Sequence, residues 1–376
     1  MIRLERRLEQ PWWLAVAVPL GSLLVAFAIM AVVLAASGHD PWHTYKELFV
    51  SGFTGNGALS ATLISATPIL FTGLAAAVAF RMQLFNIGAE GQLYFGAVGA
   101  SWIALKLGQH GVGSTPVYVL AMCAAGGLLG ALWALIPAVL RAFAHTNEIL
   151  TSLMLNYVAG YFITYLIFDS ASYWRDLSSL QARAFPQGKP MPSAAEWSTF
   201  GSSVVVPLGF VIGLVVAVGV WVLYSRTRFG FEVSVIADSP RAARYAGMRT
   251  RRKILAVMAL SGLIAGLGGA SQVGDFTHVL DPSGLQGAAF GYTGIVVAAL
   301  ARYNPFAVCV VAVLLGGLQN AGFTLQGVDF PSGLVGVMQG IILFCALGGE
   351  LFLRYRLRFA RRTRRQTGGA MTEATG

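Results

Sequence analysis

Charged residues are scarce in this chain: Asp, Glu, Lys and Arg supply 11% of its 376 residues, against 56% hydrophobic residues. A soluble globular domain is about half apolar and a quarter charged, so this composition excludes an ordinary soluble enzyme and a disordered chain. Only three cysteines occur, and each lies inside an apolar run, which excludes a disulfide-bonded scaffold. The expected class is an all-α, polytopic membrane protein.

Sequence motifs for catalysis and for metal or nucleotide binding are also missing. No Gly-x4-Gly-Lys-Ser/Thr phosphate-binding loop and no His-Glu-x-x-His zinc motif occurs, and the five histidines lie in connections between apolar runs. The string from Gly268 to Ser271 resembles a loop of membrane serine proteases, but no apolar run carries a histidine to act as its base. We therefore expect no catalytic residue, no metal and no cofactor.

Glycine is abundant instead, with 45 residues. Several glycine pairs have the four-residue spacing that lets membrane helices approach closely. These pairs are Gly126/Gly130, Gly209/Gly213, Gly262/Gly266 and Gly336/Gly340. Such spacing indicates helix packing rather than chemistry.

Ten apolar runs are long enough to be considered as membrane-spanning helices, which need about 20 residues each. They lie near residues 12–36, 58–80, 84–105, 116–140, 149–168, 204–224, 254–273, 287–301, 305–323 and 332–352. The eighth run is short, so a re-entrant or broken segment is an alternative there. The predicted transmembrane domain covers residues 12–352, preceded by an N-terminal segment 1–11 and followed by a basic, partly disordered tail 353–376.

The positive charges show a strong asymmetry between alternate connections. If the N-terminus is cytoplasmic, 21 of the 26 Lys and Arg residues lie on the inner side, as positive residues near span ends prefer. Both termini are then cytoplasmic. Two connections exceed ordinary turns, an outer one at residues 169–203 and an inner one at 225–253. Because the basic residues flank apolar runs, the net charge of +10 does not indicate a nucleic-acid partner.

The inner connection contains the signals of a short capped helix. Ser239 is a good N-cap, Pro240 suits the first helical position, and Gly247 can adopt the left-handed conformation that ends a helix. The pattern predicts a helix of about two turns from Pro240 to Ala246. The alternative is a basic loop on anionic lipid headgroups, contacted by Arg249, Arg251, Arg252 and Lys253.

Four segments carry a resemblance to a known family. They are Phe85 to Gln92, Asn147 to Asn156, Ala237 to Met248 with the following Ser261 to Gly269, and Gly291 to Ala298 continuing to Pro305. In this order and sidedness they resemble the permease subunits of bacterial ABC importers of the ribose and branched-chain amino acid type. The similarity is greatest to the branch that serves nucleosides or simple sugars. One departure is Ala237-Asp238-Ser239, where the family usually has Gly-x-Asn before the proline.

The resemblance implies a transport subunit of the bacterial inner membrane rather than an enzyme. Its implied partners are a separate ABC ATPase subunit, a second permease subunit, identical or homologous, and an extracytoplasmic solute-binding protein. The short inner helix would dock on the ATPase. The residues expected at that contact are Ser239, Pro240, Arg241, Arg244, Tyr245 and Gly247.

Polar residues within the apolar runs are the candidates for a substrate pathway. Asn86, Glu90 and Gln92 lie at the inner start of the third run. The alternative to substrate contact for Glu90 is a structural role, in which it pairs with Arg81 or Arg141 and caps nearby backbone groups. The other candidates, deeper in their runs, are Asn156, Gln319, Asn320 and Gln339. These uncharged groups suit a neutral solute, but they could equally join helices by hydrogen bonds.

Two other functional classes stay open at this point. An intramembrane enzyme acting on lipid-linked substrates needs paired carboxylates with a metal, or a nucleophile with its base, and neither set is found. An ion-coupled secondary transporter usually buries several paired ionisable residues, which are scarce here. The solute cannot be named, because specificity in the resembled family lies largely in the binding protein.

The charge asymmetry generates a topological prediction. In a variant without the native cysteines, Arg244→Cys should react with an impermeant thiol reagent only from the cytoplasmic side, because eight positive residues lie in that connection. A cysteine placed within residues 169–203 should react from outside. Labelling of intact cells and inverted vesicles measures both, and reaction of Arg244→Cys in intact cells would contradict the assignment.

Overall fold

The computed structural model of the chain describes residues 2–6, 12–111, 113–326 and 333–359. Fifteen α-helices occur in this part of the chain. They are α1 (Trp12–Ala36), α2 (Pro41–Phe49), α3 (Ala58–Phe80), α4 (Ala89–Gln109), α5 (Thr115–Ala144), α6 (Glu148–Thr164), α7 (Leu180–Ala184), α8 (Leu208–Arg226), α9 (Arg228–Asp238), α10 (Pro240–Tyr245), α11 (Thr250–Ser271), α12 (Pro282–Ala288), α13 (Phe290–Leu300), α14 (Pro305–Thr324) and α15 (Leu334–Arg354).

The predicted polytopic helical membrane protein is confirmed. Seven helical segments among the described residues are long and apolar enough to cross a bilayer: Ala58–Phe80, Thr115–Ala144, Glu148–Asp169, Leu208–Arg226, Thr250–Thr277, Pro282–Leu300 and Pro305–Thr324. Two shorter apolar helical stretches occupy Leu20–Ala36 and Leu334–Ala346. The number ten therefore stays a prediction.

Two small β-ribbons qualify the all-α prediction. The strand β1 (Ile2–Arg6) pairs antiparallel with β4 (Tyr355–Phe359), so the beginning and end of the described chain lie together. The second ribbon joins β2 (Thr199–Phe200) to β3 (Val206–Pro207). Parts of the predicted N-terminal segment and tail, residues 1, 7–11 and 360–376, lie outside the described residues.

Helix α3 occupies the centre of the bundle. Its apolar stretch is 89% buried, and α8, α11, α13 and α14 all contact it. A helix that is apolar on every side is typical of such a central position. Helix α4 is also buried over most of its length.

Glycines allow α4, α5 and α11 to cross at close range. Gly126 and Gly130 on α5 face Gly262 and Gly266 on α11, and a Cβ at Gly266 would overlap the Gly126 carbonyl oxygen. Gly96 of α4 approaches the Gly266 backbone in the same way. Two of the predicted glycine pairs thus lie at helix crossings, whereas Gly336 and Gly340 have no neighbouring atom within 4 Å of a Cβ position.

Two of the predicted apolar runs are interrupted. Helix α4 begins at Ala89 rather than near residue 84, and residues 84–87 are non-helical. The eighth run is divided into α12 and α13 by Ala289, whose φ of 50° is left-handed. The broken alternative for this run is therefore the one found. Asn86 in the first interruption is buried, whereas Ala289 in the second is half-buried.

The two long connections are ordered. The outer one, residues 169–203, contains α7 and is attached to the end of α11 through two backbone bonds, Trp197 N–H to the Gly274 carbonyl (3.0 Å) and Met191 N–H to the His278 carbonyl (3.0 Å). The inner one, residues 225–253, is mostly helical and contains α9 and α10.

The crossing of α5 and α11 generates a stability prediction. Gly266→Ala should destabilise the folded protein by about 1–3 kcal/mol, the usual cost of overpacking a tight site, because the new methyl group meets the backbone of Gly126. Melting of the detergent-solubilised protein measures this. Gly340→Ala is the matched control, since its methyl group meets open space, and an equal loss in both variants would contradict the close crossing.

Candidate functional site

A network of side-chain amides holds the non-helical segment 84–88 inside the bundle. Asn86 and Gln92 form a reciprocal pair, with Nδ2 to Oε1 and Nε2 to Oδ1 both at 3.0 Å. Asn86 also accepts from Gly88 N–H (3.0 Å) and donates to Ser261 Oγ (2.9 Å) on α11. Ser261 in turn donates to the Ala75 carbonyl of α3 (2.7 Å). Asn86 and Gln92 therefore stabilise a backbone interruption.

Asn156 of α6 satisfies the other backbone groups of the same interruption. Its Oδ1 accepts from Gly91 N–H (2.9 Å), and its Nδ2 donates to the Ile87 carbonyl (2.9 Å). The same Nδ2 lies 3.3 Å from the Tyr292 hydroxyl. Asn156 thus connects α6, the start of α4 and α13, while it also lines a cavity.

Glu90 has different partners from the expected ones. Its Oε2 accepts from the N–H groups of Gly291 (2.5 Å) and Tyr292 (3.3 Å), and its Oε1 accepts from the Tyr94 hydroxyl (2.7 Å). The expected ion pair with Arg81 or Arg141 is wrong, because Arg141 pairs with Glu148 (3.2 Å) and Arg81 donates to the Tyr303 carbonyl (3.1 Å). Its expected role as a backbone cap is present, at the first turn of α13.

Glu90 lies beside α13, far from the end of that helix. Gly291 lies nine residues before the end of α13, which at 1.5 Å per residue is about 14 Å from the turn after Leu300. The extended segment that precedes α4 allows Glu90 to reach this position.

A cavity of about 320 Å³ lies beside this junction. Its lining combines four tyrosines with the polar residues already described: Glu90, Tyr94, Asn156, Tyr157, Gly160, Tyr161, Gln286 and Tyr292. Gln286 of α12 donates to Thr164 Oγ1 (2.9 Å) of α6. Sequence reasoning missed the tyrosines and Gln286, although Tyr157 and Tyr161 have the spacing of one helix face.

The tyrosines of α6 occupy an unusual position for a lipid-facing surface. Tyr161 is 77% exposed and Tyr157 is 57% exposed, and Tyr157 lies nine residues, about 14 Å, into the helix. A phenolic hydroxyl prefers the membrane interface to hydrocarbon. The same face of α6 also exposes Leu150, Met154 and Val158. It therefore combines two phenolic hydroxyls with apolar side chains.

The last three predicted pathway residues lie elsewhere. Gln319 donates to the Ala288 carbonyl (2.6 Å), and Gln339 accepts from Thr293 Oγ1 (3.0 Å), so both support the break between α12 and α13. They line a separate cavity of about 160 Å³. Asn320 donates toward the Ser51 and Ala58 carbonyls and Thr62 Oγ1, at 3.3–3.4 Å, and joins α14 to α3.

The short inner helix α10 has the predicted caps. Ser239 Oγ accepts from Ala242 N–H (3.3 Å), Pro240 is the first helical residue, and Gly247 has a φ of 74°. Met248 N–H donates a hydrogen bond to the Ala243 carbonyl (3.0 Å). Ala243 is fully buried, whereas Tyr245 is 94% exposed. One face of α10 is thus anchored while the other projects from the bundle.

Helix α9, which directly precedes α10, is connected to the start of α11. Lys253, at the start of α11, pairs with Glu232 of α9 (2.7 Å) and stands over the Phe229 ring (4.5 Å). A cavity of about 750 Å³ beside α10 is rimmed by Arg228, Arg249, Arg252 and Lys253. Among the described residues, no three His, Cys, Asp or Glu side chains come together as metal ligands.

Comparison with known proteins agrees with this architecture. The model of the family described as branched-chain amino acid transport system / permease component matches residues 58–347. The chain belongs to this family. Both interruptions, the tyrosine-lined cavity and α10 fall within the matched residues, and the chain is therefore a transport permease integral to the cell membrane.

Three relatives illustrate the similarity. The glucose ABC transporter permease protein TsgB13 of Haloferax volcanii is 32% identical, over 100% of this chain and 98% of the relative. The guanosine ABC transporter permease protein NupP of Bacillus subtilis is 31% identical, over 87% and 91%. The nucleoside ABC transporter permease protein NupB of Lactococcus lactis is 29% identical, over 88% and 90%. The expected nucleoside and simple-sugar branch is confirmed, and an ABC permease implies an ATPase and a solute-binding protein as partners.

The dual contact of Asn156 generates a stability prediction. Asn156→Leu should lower the free energy of unfolding by about 2–4 kcal/mol, because Gly91 N–H and the Ile87 carbonyl lose their partner at a buried site. Thermal melting in detergent measures this. Met154→Leu, at a 54% exposed position of α6, should leave the melting temperature unchanged. Equal melting of both variants would show that the interruption does not depend on Asn156.

Proposed function

We propose that this chain is one membrane half of an ATP-driven importer that carries a neutral nucleoside or simple sugar inward. It has no nucleotide-binding loop of its own, so a separate ATPase subunit supplies the energy, and a second permease subunit completes the pathway. The observation that carries this proposal is α10, a short helix capped at both ends, anchored on one side and exposed on the other, within a chain that matches a permease family.

The topology proposed is ten spans with both termini cytoplasmic. In this arrangement α12 and α13 together form the eighth span, and α1, α4 and α15 complete the count. Pairing of β1 with β4 supports it, because the two ends of the described chain then lie on the same side. The cytoplasmic side is assigned from the positive charges, which concentrate in the connection that contains α10.

Helix α10 is the proposed contact with the ATPase, and α11 transmits its movement. Arg241, Arg244 and Tyr245 are exposed, whereas Ala243 is buried against the bundle. The Lys253–Glu232 pair joins α11 to α9, the helix that directly precedes α10. Eight residues further along α11, Ser261 bonds to Asn86 in the interrupted segment. Packed contacts along α11 thus connect the region of α10 with the interrupted segment, and a displacement of α10 is transmitted through them.

The tyrosine-lined cavity is the proposed pathway. Its hydroxyls and amides offer weak, uncharged hydrogen bonds, and its rings offer flat surfaces on which a sugar or a base can stack. The exposed face of α6 is where the second permease subunit would close the cavity. The names of the relatives, which refer to glucose, guanosine and nucleosides, support a solute of this class.

The proposal predicts that α10 acts as a rigid lever. Ala243→Pro should abolish uptake, because an interior proline costs about 3 kcal/mol or more of helix stability and removes the bond from Ala243 N–H to the Ser239 carbonyl. Gly247→Val should act similarly, since φ of 74° disfavours a β-branched residue. The measurement is solute uptake in cells that also express the ATPase and the binding protein, normalised to permease in the membrane.

Arg251→Gln is the control for this experiment. Arg251 lies beyond α10 and stands over the Phe143 ring (5.4 Å), so uptake should stay near normal if α10 transmits force. If the connection merely anchors to lipid, Arg251→Gln should impair uptake while Ala243→Pro does not. That ranking would overturn the role assigned to α10.

A further inference from the structure

The N-terminus of α13 is a potential anion site. The first N–H groups of a helix are unpaired, and the helix dipole places about half a positive charge there. Such ends bind phosphates and carboxylates in many proteins. In this chain the end of α13 lies next to the tyrosine-lined cavity, through Tyr292.

The chain fills this anion site with its own carboxylate. Glu90 is 2% exposed and accepts from Gly291 N–H, Tyr292 N–H and the Tyr94 hydroxyl. All three partners are hydrogen-bond donors, which is the arrangement that a charged carboxylate requires, because it can only accept. When Glu90 is ionised, its full negative charge outweighs the half positive charge of the helix end, and the junction is then negative.

No positive group offsets this charge within the described lining of the cavity. The lining contains four tyrosines, Asn156 and Gln286 but no Lys, Arg or His. Arg81 and Arg141, the ion-pair partners considered from the sequence, have other partners. In a site with little water the field of one carboxylate is weakly screened.

We propose that Glu90 makes this cavity selective against anions, so that neutral solutes pass while phosphorylated sugars and nucleotides are excluded by the permease itself. The inference rests on the proposed function, in which the cavity lines the pathway. It assigns Glu90 a specificity role in addition to its structural one, and it places charge selection in the membrane subunit as well as in a binding protein.

The test uses a single cysteine as a sensor of the local potential. Gly160→Cys is suitable, since a Cβ at Gly160 has only ordinary contacts, 3.6 Å from Gln286 Oε1. The full-length chain, with its native cysteines replaced by alanine, is placed in lipid nanodiscs. Rates of reaction with a cationic and an anionic methanethiosulfonate of similar size are compared and normalised to a free thiol. Because both reagents attack the same thiol, the ratio of their normalised rates reports the electrostatic potential at that thiol.

The cationic reagent should react at least about tenfold faster than the anionic one, as expected for a unit charge a few ångströms away in a weakly polar site. Glu90→Gln should reduce this ratio at least about fivefold, whereas Glu90→Asp should keep most of it. Glu196→Gln, which neutralises an exposed carboxylate in the outer connection, should have no effect.

Three outcomes overturn the inference. If the rate ratio is near one in the Gly160→Cys protein that retains Glu90, the cavity does not have a negative potential. This result does not depend on whether Glu90→Gln folds. If Glu90→Gln and Glu196→Gln change the ratio equally, the source is not Glu90. If neither reagent reacts with Gly160→Cys, the cavity is closed to water and the proposed pathway fails together with the inference. If both reagents react readily with the cysteine at equal normalised rates, the proposed pathway stands and only the selectivity role of Glu90 is rejected.

Discussion

The structure depends on one constraint, which is that backbone polar groups within a bilayer need partners from the protein itself. In the described part of the chain, two apolar runs are interrupted, at residues 84–88 and at Ala289, and both interruptions leave N–H and carbonyl groups without helical partners. Asn86, Gln92 and Asn156 satisfy the first, and Glu90 and Gln319 satisfy groups at the second. The polar residues in this apolar protein are thus concentrated where the helices are interrupted.

This placement gives the same residues two roles. Glu90 and Asn156 hold the interruptions together and also line the cavity proposed as the pathway. A solute site made from such residues is stiff, because moving either side chain breaks backbone contacts on two or three helices. Movement during transport is therefore better accommodated by shifts of whole helices, such as α11 with α10 at its end, than by rearrangement of the lining.

Much of the fold could be predicted from local sequence signals. The second apolar run matches α3 residue for residue, and the caps of α10 follow from Ser239, Pro240 and Gly247, because apolar length and capping chemistry are local. The start of α4 could not be found, because residues 84–105 form one mostly apolar run and the Ser261 partner of Asn86 lies on a distant helix. The short eighth run indicated a broken segment as an alternative, but the position of the break at Ala289 has no local signal, since alanine favours helix. The tyrosines of α6 were not predicted to line a cavity, because their exposure depends on how the other helices pack around α6.

The interrupted segment 84–88 also has a consequence for how the protein is made. The Asn156 contact comes 69 residues after Ile87, the Ser261 contact 175 residues after Asn86, and the backbone partner of Glu90 201 residues later. At synthesis rates of about 5–20 residues per second, Glu90 waits on the order of ten seconds or more for α13. The segment cannot enter lipid alone in that interval, so its insertion must be delayed or sheltered until the C-terminal half emerges.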